Sequence, residues 1–164
     1  MERVELPALT PDETRDFLGR AASSARRRHP KILHAPGDVF NRVINFMMRD
    51  SYMQPHLHPG DQKIEHIYLM EGRLAVLFFN DEGALTGITT LERGGVDAIA
   101  VPAFTWHTYV MLSDTAITYE TMMGQYEPSS WKEMAQWAPE ENAPGSAAYL
   151  CELKTLAAGA GSRP

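Results

Sequence analysis

Two histidines stand one residue apart in the run Pro55-His56-Leu57-His58-Pro59, and Glu65, Gly72, Pro102 and His107 follow them in order. In an extended chain, residues i and i+2 point to the same side, so this run presents two imidazoles next to each other. A turn at Gly60-Asp61 lets the chain double back and bring the Glu65 carboxylate beside them. His107, reached through Pro102 and Thr105, could supply a third imidazole from across a sheet. An isolated His-x-His pair is weak evidence, because such pairs also arise by chance on solvated strands. The ordered set of three histidines and a glutamate makes one bound divalent transition metal the expected chemistry. Imidazole and carboxylate ligands suit most of the first row, and an octahedral ion would keep two positions open. Iron(II) is favoured, for oxygen activation; zinc, nickel or manganese would support isomerase, lyase or hydrolytic chemistry instead. Arg42 and Lys63 are expected to hold the anionic group of a small-molecule substrate, and Tyr52 to donate a proton. Asn45 and Trp106 are further pocket candidates, while His66, adjacent to Glu65 on a strand, should face the opposite way. A non-catalytic metal-binding or small-ligand-binding module is the alternative reading.

Short apolar runs rich in β-branched and aromatic residues must position these groups. Val43–Met48, Ile64–Met70, Arg73–Phe79, Leu85–Thr90, Ala98–Val101, Trp106–Leu112 and Ala116–Met123 each have strand length. Turn residues at Asn80–Gly83 and Glu92–Gly95 separate them, with no intervening helices. This spacing favours a sandwich or barrel over a parallel sheet. Before the strands, Thr10-Pro11 with Glu13 forms a capping box, which predicts a helix over about residues 11–27. Arg26, Arg27 and Arg28 then read as a solvated helix end favoured by the dipole, with a substrate-anion contact by one of them as the alternative. After the strands, Ser129 or Ser130 could cap a short helix through Trp137, and Pro144–Leu156 predicts a second one. Trp131 and Trp137 are expected to pack against the end of the barrel, and residues 157–164 to form a disordered tail.

At 164 residues and 44% hydrophobic, the chain is expected to form one domain over residues 1–156. A net charge of −6 argues against a nucleic-acid surface. No apolar run approaches the roughly 20 residues of a membrane helix. The lone Cys151 and an N-terminus without a signal-like apolar run predict a reducing, cytoplasmic location.

The ordered motif resembles the two cupin motifs, the second reading here as Gly95, Pro102 and His107, with Phe104 where cupins usually carry glycine. The similarity extends to WbuC-family cupin-fold metalloproteins. Residues 28–34, Asn41–Asn45, Tyr52, Pro55–Pro59, Lys63-x-Glu65, Gly72–Val76, Trp106–Thr108 and Trp137–Pro139 carry it. The resemblance implies an all-β cupin jelly-roll barrel with helices at both ends, metal ligands His56, His58, Glu65 and His107, and a homodimer. The family name suggests a link with polysaccharide biosynthesis. Two extra residues between His58 and Glu65 make Gln62 a rival for the ligand position. Glu65 is preferred for its spacing to Gly72 and for its charge.

Overall fold

The computed structural model describes residues 4–160. Helix α1 (Pro11–Ser23) is followed by β1 (Arg28–Ile32), β2 (Phe40–Met48), β3 (His56–Leu57), β4 (Glu65–Glu71), β5 (Arg73–Phe79) and β6 (Leu85–Glu92). Next come β7 (Ala98–Val101), β8 (Trp106–Met111), β9 (Thr115–Met123), β10 (Glu133–Met134) and helix α2 (Ser146–Ala160). Among the described residues, ten strands form two antiparallel five-stranded sheets, ordered β1-β2-β9-β4-β7 and β10-β3-β8-β5-β6. The expected β-rich barrel with helices at both ends is what the chain forms.

Strand alternation divides each sheet into two faces. Inward-facing Met47, Ile67, Leu69, Leu74, Val76, Tyr109, Met111 and Ala116 pack between the sheets. The intervening residues Ile44, Phe46, Ile117 and Tyr119 bury against Phe17, Leu18 and Ala21 of α1. On the other sheet, Ala75, Leu77, Phe79 and Val110 bury against Leu150, Leu153 and Ala157 of α2. Both outer faces are thus covered by a helix.

The capping box forms as expected: Glu13 N–H donates to Thr10 Oγ1 at 3.1 Å, and Thr10 N–H to Glu13 Oε2 at 2.9 Å. The helix stops at Ser23, four residues before the expected end, because Ser24 is extended and Arg27 takes a left-handed φ of 56°. That turn feeds Arg28 into β1 opposite Met47, so Arg28 is 5% exposed and not part of a solvated helix end. The short helix expected after Ser129 does not form. Glu133–Met134 instead pairs with β3, and Ala135 N–H donates to the Pro55 carbonyl, so partners distant in sequence outweigh local propensity. Helix α2 runs on to Ala160, with Ala157 buried in the outer cluster; residues 157–160, expected in the tail, are therefore helical, and 161–164 lie outside the described residues. Gly72, between β4 and β5, has φ +84°, and a Cβ there would stand 2.3 Å from the Thr115 carbonyl oxygen. Among the described residues, no helix is long and apolar enough to cross a membrane.

Candidate metal centre

His56 in β3 pairs across the sheet with His107 in β8, which sets their rings 4.5 Å apart. His58 follows one residue after β3, and Glu65 opens β4 on the facing sheet. The structure thus brings all four expected ligands to one place between the sheets, each no more than 5% exposed. One ligand atom from each lies within 4.8 Å of all the others. Gln62, the rival candidate, is exposed.

Backbone carbonyls orient the three imidazoles. The Nδ1 of His56, His58 and His107 lies 3.1, 3.0 and 2.8 Å from the carbonyls of Gln54, Trp131 and Thr105. A carbonyl only accepts, so each Nδ1 carries the proton and each Nε2 presents its lone pair. His107 Nε2 stands 2.9 Å and His58 Nε2 3.6 Å from Glu65 Oε2. Lone pairs brought this close to a carboxylate oxygen repel unless a proton or metal ion lies between them. His58 Nε2 is also buried without a hydrogen-bond partner. Ligands bound at about 2.1 Å to a common ion lie about 3–4 Å apart, so the donor set fits a divalent ion. The second oxygen of Glu65 accepts from Tyr109 Oη at 2.8 Å.

Burial, followed by the neighbouring His107, holds the His56 pKa well below its ordinary value. At Glu65, burial pushes upward, but the contacts from His107 and His58 outweigh it and keep the carboxyl well below its usual range. A neutral imidazole and an ionised carboxylate are the protonation states that metals bind. Tyr109 is pushed up by burial and by the charges of Glu120 and Glu65, so it keeps its proton.

The cluster opens onto a cavity of about 230 Å³, lined among others by Arg26, Arg28, Asn41, Glu120, Trp131 and Lys132. Asn45 also lines it and donates to Glu120 Oε2 at 2.8 Å, while Thr118 Oγ1 donates to Oε1 at 2.7 Å. Burial and the nearby Glu65 raise Glu120 to about 8.

The structure places the three expected catalytic residues elsewhere, none of them lining this cavity. Arg42 shares the outer face of β2 with Ile44 and Phe46 and is exposed, one residue out of phase with inward-facing Asn41, Val43 and Asn45. Lys63 donates to the Ser130 carbonyl at 2.9 Å and lies over the Trp131 ring. Tyr52 donates to the Pro139 carbonyl at 2.6 Å and packs in the cluster beneath α2. Trp106 donates to Asp81 at 3.0 Å and packs on Trp137, also outside the cavity. His66 is exposed on the outer face, stacked on Tyr68. Trp137 packs as expected, but Trp131 lines the cavity and holds His58 through its carbonyl.

Sequence reasoning passed over Glu120, Tyr109, Asn41 and Lys132. A signal existed for two of them: Tyr109 is i+2 from His107, and Glu120 is a lone acid within the apolar run Ala116–Met123.

Facing antiparallel sheets with the His-x-His, Glu and His donors gathered between them define a cupin fold. The chain belongs to the family described as Domain of unknown function (DUF6016), whose profile matches residues 9–91. Comparison with curated proteins found no match. Among solved structures, protein SO0799 from Shewanella oneidensis is 13% identical with a TM-score of 0.53, covering 64% of this chain and 72% of that protein. An oxalate oxidase is 15% identical with a TM-score of 0.54, covering 84% and 76%. CapF, a capsular polysaccharide assembling protein from Staphylococcus aureus, is 13% identical with a TM-score of 0.55, covering 64% of this chain and 31% of CapF. These similarities concern the fold.

Proposed function

We propose that this protein is a metal-dependent enzyme acting on a small anionic molecule. One observation carries the reading: of the four clustered donors, His56, His58 and Glu65 line a cavity that Arg26, Arg28 and Lys132 also line, with His107 buried behind them. A structural zinc site is closed by its side chains and staples a domain too small to hold a core. Here the donors open onto a cavity, and an apolar core packs beside them between the sheets. A divalent ion held by His56, His58, Glu65 and His107 would supply Lewis acidity or, as iron(II), oxygen chemistry. The cationic walls would draw an anionic group toward it and hold it there. Tyr109 would keep Glu65 oriented through its hydroxyl.

An iron(II)-type oxidation is the first reaction in this proposal. A second reading, isomerase or lyase chemistry, is favoured by Glu120: a pocket carboxyl at about 8 holds its proton at neutral pH and can give or take it. The WbuC-like residues in the sequence support a sugar-related substrate for that reading. A homodimer covering exposed sheet edges, in the cytoplasm, belongs to the same proposal; exposed, unpaired Cys151 agrees with a reducing compartment.

The test is elemental analysis of protein purified without a metal-affinity tag, then anaerobic loading with iron(II) and addition of nitric oxide. Stoichiometric metal and a nitrosyl spectrum are expected. A metal closed to every added ligand would refute the enzymatic reading, and oxygen uptake with candidate carboxylates separates oxidation from isomerisation.

A further inference from the structure

Two residues that line the cavity carry polar groups without the partners their chemistry demands. Lys132, just before β10, lines the cavity and is partly buried, yet its ammonium has no acceptor among the described residues. It shares that cavity with His56, His58 and Glu65. Asn41, 5% exposed on β2, donates from Nδ2 to the carbonyls of Met122 and Gly124. Those two acceptors fix the orientation of the amide. Its Oδ1 is left buried and without a donor, in a residue that lines the cavity. Buried polar atoms are rarely left so, and an unpaired group in a cavity calls for a ligand atom of complementary kind.

Charge points the same way. Arg26 and Arg28 both pair with the single carboxylate Glu141, so these two cations and Lys132 outnumber their counter-charge. Of the two carboxylates on the cavity side, Glu65 faces the histidines and accepts from Tyr109, and Glu120 is engaged by Asn45 and Thr118; among the described residues neither forms an ion pair with Arg26, Arg28 or Lys132. At about 230 Å³ the cavity falls below the volumes that hold drug-sized ligands, which limits the occupant to a few carbons.

We infer that the cavity binds a short hydroxycarboxylic acid, its carboxylate held by Lys132 with Arg26 and Arg28 and its hydroxyl donating to Asn41 Oδ1. The inference rests on the metal-enzyme reading of the same site and narrows its substrate class. An unpaired cation needs an anion, an unpaired acceptor needs a donor, and the two line one small space. A hydroxyl-free dicarboxylate answers the cation alone and leaves Asn41 unpaired, as does a phosphate dianion.

The experiment is calorimetric titration of the full chain with malate, succinate and inorganic phosphate, in the zinc-loaded and the chelator-treated protein. Malate is expected to bind about tenfold more tightly than succinate or phosphate, the worth of one hydrogen bond to a buried group. Lys132→Gln should weaken malate and succinate alike by about tenfold or more while zinc stoichiometry stays unchanged. Asn41→Ala should abolish the preference for malate and leave succinate binding as it was. Should Asn41→Ala fail to fold, the wild-type comparison together with Lys132→Gln still decides. Equal binding of malate and succinate, tighter binding of phosphate, or an unaffected Lys132→Gln would overturn the inference. Absence of stoichiometric zinc would instead refute the metal reading, and the chelated titration would then test the cavity alone.

Discussion

Glu141→Gln removes one charge from the ion-pair network that holds the cavity wall, and its cost can be worked from the geometry. Arg28 is 5% exposed, and its guanidinium pairs with Glu141. Its remaining partners are the Tyr52 carbonyl at 3.1 Å and, at 3.4 Å, Ser51 Oγ and the Arg26 carbonyl. Of these the Tyr52 contact alone lies within ordinary hydrogen-bond range. Breaking a buried pair by deleting one partner costs about 3–5 kcal/mol. Gln keeps one acceptor and Tyr52 remains, so the expected loss is about 2 kcal/mol at pH 7, a fall in Tm of roughly 4–8 °C for a chain of this length. At Glu141, burial pushes the pKa up, but the charges and hydrogen bonds of Arg28 and Arg26 win and hold it below its ordinary 4.5. A carboxyl depressed on folding contributes stability above its unfolded pKa and loses it as pH falls through the folded value. Wild type and variant should therefore differ fully above pH 4.5 and converge in more acidic solution. Urea unfolding of both proteins across pH 3–8 reads this directly. A loss under about 0.5 kcal/mol at pH 7, or one that persists undiminished at low pH, would refute an ionic origin.

Alanine at His56, His58, Glu65 or His107 should each weaken zinc or iron(II) binding by at least about 100-fold, more than supporting residues typically cost, with the β-sheet circular dichroism retained. Gln62→Ala should keep full occupancy; the reverse pattern, with Glu65→Ala fully loaded and Gln62→Ala empty, would show the ligand choice to be wrong. Phe104 has φ 58° and is 55% exposed, and its N–H donates to the His58 carbonyl. Phe104→Gly should relieve about 1 kcal/mol of backbone strain and raise Tm by a few degrees; a fall would mean that the ring contributes more than the strain costs. Gly72→Ala, by contrast, should lose about 3 kcal/mol or more in urea unfolding, because its Cβ would lie 2.3 Å from the Thr115 oxygen at an unfavourable φ; a change within experimental error would refute the close approach.

The candidate donor set was legible in the sequence because its spacing obeys local rules. His56 and His58 are i and i+2, Glu65 follows a turn, and most strands are continuous apolar runs whose period fixes which face each residue joins. The capping box at Thr10 is likewise complete within four residues. The rest of the cavity depended on contacts between segments far apart in the chain. β1, β3 and β10 are short and weakly patterned, and each exists through its pairing with another strand. Because β1 docks on β2, Arg28 turns inward from a run that reads as a solvated helix end; because β10 docks on β3, Lys132 reaches the cavity and the Trp131 carbonyl reaches His58. Arg42 and Asn45 lie three apart on one strand and so take opposite faces; which of them meets the cavity was decided when α1 covered the side of β2 that carries Ile44 and Phe46. Local sequence thus determined the four clustered donors and most of the strands, whereas the charges around them were set by docking between strands, which no window of neighbouring residues encodes.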